Sequence, residues 1–140
     1  MIALLLLVMA LPAADRPNKD LTPGVTRALS QQAICSTRWG LDRRHVTDAM
    51  RRQVFAAYGI PYSQHAAYEL DHLIPRELGG ADDVRNLWPE PFNGPYNAHQ
   101  KDRLENALHK RVCDGEMSLS NAQDAIRADW VAAFRLYVTK

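Results

Sequence analysis

The chain has 140 residues, 46% of them hydrophobic and 24% charged, with 7 Gly and 8 Pro. That is the size and make-up of one globular domain, and it argues against a disordered tail, a fibre or a repeat array. Seventeen basic and 16 acidic side chains leave a net charge of +1, too little for a partner held by bulk positive charge. Beyond the N-terminus no run of about 20 apolar residues exists to span a bilayer.

Residues 1–14 carry no charge and are almost all apolar, ending in Pro12-Ala13-Ala14. The stretch suits the apolar region of a secretory signal followed by small residues at a cleavage site, although it lacks a basic start. The alternative is an apolar helix packed on the core. The favoured expectation is export, to the periplasm or beyond, with no membrane span left after processing. Cys35 and Cys113 belong to no CxxC or zinc-ligand spacing. In an exported chain they read as one disulfide worth about 3–4 kcal/mol; in a reducing compartment they would be two buried thiols.

Residues 15–33, with Pro17 and Pro23-Gly24, read as a lead-in strand or loop, and residues 34–140 as the domain proper. A helix is predicted from Asp42, as N-cap, to Tyr58. Val46, Met50, Val54 and Tyr58 share one face, and Gly59 and Pro61 stop it. Short strands follow at Tyr68–His72 and Val84–Trp88, separated by a loop with Pro75 and Gly79-Gly80. Next come a helix from Ala98 to Cys113 and a last helix starting near Ser118 or Ser120. Its stripe runs Leu119, Ala122, Ile126, Trp130, Phe134, Tyr137.

Charge is uneven along this order. Residues 15–60 hold 8 basic and 4 acidic side chains, whereas residues 61–96 hold 2 and 6. An acidic, Pro- and Gly-rich segment with a histidine can seat a divalent cation. The arginines beside it (Arg43, Arg44, Arg51, Arg52) can meet phosphate or simply form a solvated face.

Asp71-His72 closes the first strand, Asn86 lies in the second and His99 opens the next helix. With Pro75 and Gly79-Gly80 between them, the runs Glu69 to Gly80 and Asn86 to Pro91 resemble the HNH endonuclease family. The core of the resemblance covers residues 68–102. The stretch from Cys35 to Trp130 is also similar to a group of small exported bacterial HNH-domain proteins, through Lys101 to Asn106 and Asp129-Trp130. The resemblance implies an α+β fold, with a ββα-metal hairpin-and-helix unit embedded in a mostly helical single domain. It implies a metal-dependent endonuclease in which His72 is the general base and Asp71 and His99 are metal ligands. Asn86 would hold the loop and orient the base.

The chemistry is consistent. Phosphodiester hydrolysis needs a base for water and a cation for the phosphate and the leaving oxygen, and imidazole titrates nearest neutrality. Neighbouring strand residues point to opposite faces, so β-structure must end or bend for Asp71 and His72 to serve one phosphate. Carboxylate, imidazole and water suit Mg²⁺ or Mn²⁺, and the imidazole admits Zn²⁺ or Ni²⁺. Position 103, where a second helix ligand is common in the family, is Arg; Asp102 or Asn97 could replace it. Helical angles set His99, Asp102 and Asn106 opposite Leu104, Leu108 and Val112, so the apolar stripe is expected to pack on the domain and the polar side to face the hairpin. The four-cysteine zinc brace of many HNH proteins is missing, and a Cys35–Cys113 bridge would take its place. Arg76 is a candidate phosphate contact. Glu77 and Glu90 read as solvated or turn residues, Trp88 and Trp130 as core, and His45, His65 and His109 as surface.

The expected partner is nucleic acid, DNA ahead of RNA, cut with little sequence preference because no recognition helix is visible; an immunity or inhibitor protein is a further candidate. The rival reading is a non-catalytic secreted module of the same fold that binds nucleic acid or a cell-envelope partner.

Overall fold

A computed structural model describes residues 15–139; the expected leader, residues 1–14, lies outside them. The chain order is helix α1 (Gln31–Ser36), helix α2 (Asp48–Ala57), strand β1 (Tyr68–His72), strand β2 (Leu87–Pro91), helix α3 (Ala98–Cys113) and helix α4 (Leu119–Tyr137). The strands pair antiparallel, from Tyr68 opposite Pro91 to His72 opposite Leu87. This is an α+β arrangement in which a two-stranded hairpin lies among helices.

The hairpin has two unlike faces because side chains alternate along each strand. Leu70 and Leu87 pack with Val54 and Phe55 of α2. Trp88 joins the larger core, with Leu104 and Leu108 of α3 and Ile126 and Trp130 of α4. Pro89 and Pro91 fit in β2 because they pair with Leu70 and Tyr68 at the non-hydrogen-bonded positions, where the missing N–H would face away from β1.

Four boundaries differ from the sequence expectation. First, α2 begins at Asp48 with Thr47 as its cap, not at Asp42. Residues 42–45 are drawn onto the hairpin instead. The Asp42 carboxylate pairs with Arg76, Arg44 donates to the Leu70 carbonyl at 2.8 Å and the His45 amide to Asp82 at 2.7 Å. Second, Val84–Asn86 is a single 3-10 turn capped by the Asp83 side chain, so β2 starts at Leu87. Third, α1 falls across the expected end of the lead-in. It is too short for periodicity to reveal, and its Ser30 cap and buried Ile34 define it. Fourth, α4 is broken at Asp129 (φ −163°, ψ 101°). There Asp129 Oδ1 accepts from the amides of Val131 at 3.0 Å and Ala132 at 3.2 Å, capping the second half as a fresh helix.

The expected bounds of β1 and α3 hold, as does the Ser118 start of α4. The lead-in is bonded to the domain: Thr22 is fully buried and donates to the Leu87 carbonyl at 3.0 Å, and Thr26 bridges to Gly80. Cys35 and Cys113 form the expected disulfide, with Cα atoms 5.5 Å apart, tying α1 to the end of α3. Among the described residues no helix is long and apolar enough to cross a membrane.

Candidate functional site

β1 ends at His72, where the chain turns away through Leu73, Ile74 and Pro75. At that end the two faces of the hairpin meet one open cleft of about 360 Å³. Asp71 and His72 both line it, together with Arg44 and Trp39 from the segment before α2, Glu77 from the loop and Glu105 from α3. The termination of the strand thus brings two adjacent side chains to a common space.

The loop after β1 is closed by Asn86, which is fully buried. Its Oδ1 accepts from the Ile74 amide at 3.0 Å, and its Nδ2 donates to the carbonyls of Ile74 at 2.9 Å and Ala81 at 3.1 Å. All its contacts are to backbone, so its work here is to hold the loop. Gly80 is needed at the same place: a Cβ there would lie 1.7 Å from the Ile74 carbonyl oxygen.

His72 is 4% exposed. Burial pulls its pKa below the ordinary 6.5, against the opposing pull of Asp71 and Asp82. It is therefore a neutral imidazole at pH 7. Its Nε2 lies 2.8 Å from Asp82 Oδ1.

Asp71 belongs to a different network, on the α3 side. Lys101, fully buried, donates to Asp71 Oδ2 at 2.6 Å and to the His72 carbonyl at 2.6 Å, and also pairs with Glu105 one turn on. Burial works against the charge on Lys101, but Asp71, Glu105 and Glu90 more than offset it and raise its pKa. Burial would raise Asp71 too, yet Lys101 and a hydrogen bond from Glu90 bring it below the usual range. Glu90 is 1% exposed and is pushed up to about 10 by burial and by Asp71, against the pull of Lys101. It is a neutral acid that shares its proton with Asp71. Burial, joined by Asp71 and Asp102, also raises Glu105 against the pull of Lys101. Glu69, Glu77 and Asp102 are raised as well, in each case by burial first and then by neighbouring carboxylates. More carboxyl groups meet here than Lys101 and Arg44 can neutralise.

The expected ligand set Asp71, His99 and Asp102 is not gathered at one point. Among the described residues no three His, Cys, Asp or Glu side chains are placed to hold an ion together. His99 and Asp102 are exposed on α3, and neither lines the cleft, although Asp102 feels the charge of both Asp71 and His99. The reason is that Lys101, between them in sequence, turns inward and takes the Asp71 oxygen. The donor chemistry fits a hard cation held by one or two carboxylates and completed by water, the usual manner of Mg²⁺. The apolar side of α3 is as expected, with Leu104, Leu108 and Val112 buried, but His99, Asp102 and Asn106 are exposed, and it is Lys101 and Glu105 that meet the hairpin.

Arg76 differs from its expected role. Its terminal nitrogen binds Asp42 and the Arg43 carbonyl (2.6 Å), and its Nε stands 3.4 Å from Asp82 Oδ1 without a hydrogen bond, so its charge is already paired inside the protein. Arg44 borders the cleft as well as Arg76. Sequence reasoning noted the run Lys101 to Asn106 but gave no role to Lys101 or Glu105, and it missed Asp82 and the burial of Glu90. The i, i+4 spacing of Lys101 and Glu105 was a visible signal. So was the parity of Glu90 with Trp88 on one strand face.

Comparison with known proteins gives one partial match. The chain is 46% identical over 39 residues to "Probable mobile endonuclease C" of Enterobacteria phage T4. The match covers 28% of this chain and 19% of that protein. No family model matches, and no solved structure does. The partial match suggests a nuclease.

Proposed function

We propose that the protein is a divalent-metal-dependent endonuclease of the HNH type. On this reading it hydrolyses phosphodiester bonds, in DNA before RNA, with little sequence preference. The observation that carries the reading is the cleft itself, where a neutral, buried His72 and an ionised Asp71 stand side by side. The short match to a phage endonuclease supports it independently.

In this mechanism His72 removes the proton from the attacking water, and Asn86 keeps the loop that fixes the strand end. Arg44, at the edge of the cleft, is placed to meet a backbone phosphate. Lys101 and Glu90 hold the Asp71 carboxylate in one orientation. A divalent cation, when bound, would neutralise charge on the phosphate and the leaving 3′-oxygen. Asp71 would hold it, water would complete its shell, and His99 or Asp102 from α3 are the candidates to join.

The rival, a binding module without catalysis, is favoured by one observation: the Lys101 ammonium already neutralises Asp71. Plasmid nicking by the oxidised protein separates the two. Cleavage with Mg²⁺ or Mn²⁺ that EDTA abolishes, and that His72→Ala loses while keeping its melting curve, is the expected result. A folded protein that fails to cut whichever divalent ion is supplied would sink the nuclease reading.

A further inference from the structure

Asp82 lies in the turn after Gly79-Gly80 and belongs to none of the motifs read from the sequence. Its two oxygens have separate tasks. Oδ2 accepts the His45 amide at 2.7 Å, while Oδ1 stands 2.8 Å from His72 Nε2, with Arg76 Nε at 3.4 Å. Burial raises the Asp82 carboxyl, but the His45 amide, the His72 ring and Arg76 outweigh it and leave it below the usual range. Asp82 is therefore ionised at neutral pH, and an ionised carboxylate can only accept hydrogen bonds. The proton in the 2.8 Å contact must come from the imidazole.

An imidazole that acts as a base has one N–H and one lone pair. With the N–H on Nε2, the lone pair is on Nδ1. That nitrogen has no hydrogen-bond partner among the described residues and is not one of the buried atoms sealed from water without a partner. The ring that carries it lines the same cleft as Asp71.

We propose that Asp82 is a positioning residue for His72: it holds the ring as the Nε2–H tautomer, so that Nδ1 is the atom that receives the proton of the attacking water. The inference rests on the nuclease reading for its second half. In the step, the water O–H bond breaks and its proton passes to Nδ1. The water oxygen forms a bond to phosphorus while the bond from phosphorus to the 3′-oxygen breaks, its electron pair leaving on that oxygen. Asp82 is in turn fixed by the His45 amide and by Arg76, so the segment before α2 sets the base indirectly. A carboxylate that merely tied this segment to the turn would need only the His45 and Arg76 contacts. It would be indifferent to which imidazole nitrogen holds the proton.

The test uses protein carrying ¹⁵N-labelled histidine, metal-free at pH 7, in which NMR reports the protonation of each ring nitrogen. His72 is expected to show a protonated Nε2 and a bare Nδ1. Asp82→Asn, whose amide can donate to Nε2, should move a large share of the proton to Nδ1. The same variant, checked for an unchanged melting curve, should lower kcat for plasmid nicking by about 10–100-fold, with KM within about twofold, as loss of a group that orients a working histidine does. A wild-type His72 protonated on Nδ1 overturns the proposal, and it does so even if the variant fails to fold. A folded Asp82→Asn with an unmoved proton and unchanged kcat overturns it too. If the wild-type protein cuts nothing with any divalent ion, the nuclease reading falls by itself, and the NMR result still decides whether Asp82 sets the tautomer.

Discussion

Replacing Lys101 by methionine removes one charge and keeps most of the side-chain volume, which makes it a clean probe of the network behind Asp71. In the folded protein the ammonium is fully buried and contacts Asp71, Glu105 and the His72 carbonyl. Taking one partner from a buried ion pair typically costs about 3–5 kcal/mol, because the opposite charge stays behind uncompensated. A domain of this size loses about 4 °C of Tm per kcal/mol, so Lys101→Met should melt about 10–20 °C lower at pH 7. The loss should shrink on acidification, and the sign follows from linkage. In the wild-type protein Asp71 is depressed by Lys101 and Glu90, so its contribution is present above the unfolded carboxyl pKa and lost as pH falls. Without Lys101, Asp71 joins Glu90 and Glu105 among the raised groups. The folded variant then binds more protons than the unfolded chain and gains stability as pH falls from 7 towards 5. Thermal or urea denaturation in EDTA at pH 7 and pH 5 checks both halves. A variant within about 1 kcal/mol of wild type at pH 7, or one whose deficit grows at pH 5, would refute the network as described.

Other consequences follow from the same geometry. Asn86→Ala should cost about 2–4 kcal/mol, since it strands buried backbone groups of Ile74 and Ala81; nicking should fall with it, because the loop would no longer fix the end of β1. Gly80→Ala has no room beside the Ile74 carbonyl and should destabilise by about 1–3 kcal/mol, read by urea denaturation. Reducing the Cys35–Cys113 bridge, whose cysteines are 78 residues apart, should lower stability by about 4 kcal/mol on the chain-entropy account, seen as a drop in Tm with dithiothreitol that a Cys35→Ser, Cys113→Ser variant no longer shows. The pKa of His72 is depressed by burial, so the acid limb of the kcat–pH profile should fall below 6.5. An acid limb above 6.5 would mean that another group is the base.

Elements whose information is local were legible in the chain. The α3 stripe of Leu104, Leu108 and Val112, the Ser118 start of α4 and the alternation of β1 all depend on residues within a turn or two of each other. The Asp71-His72 pair at a strand end was legible for the same reason. So was the pairing of two distant cysteines, but only because the chain holds no others.

What tertiary structure alone decided is where polar groups separated by tens of residues find their partners. Asp42 looks like a helix cap in isolation. It is not one, because residues 42–45 gain more from Arg76, Leu70 and Asp82 than from another turn of helix. Glu90 looks solvated until α3 covers that face of the hairpin, and Lys101 looks like a surface lysine until Asp71 and Glu105 surround it. Hydrophobic periodicity records which side of a helix or strand faces inward. It carries no record of which charged side chain will be enclosed there, because burying a charge depends on a counter-charge supplied by another part of the chain.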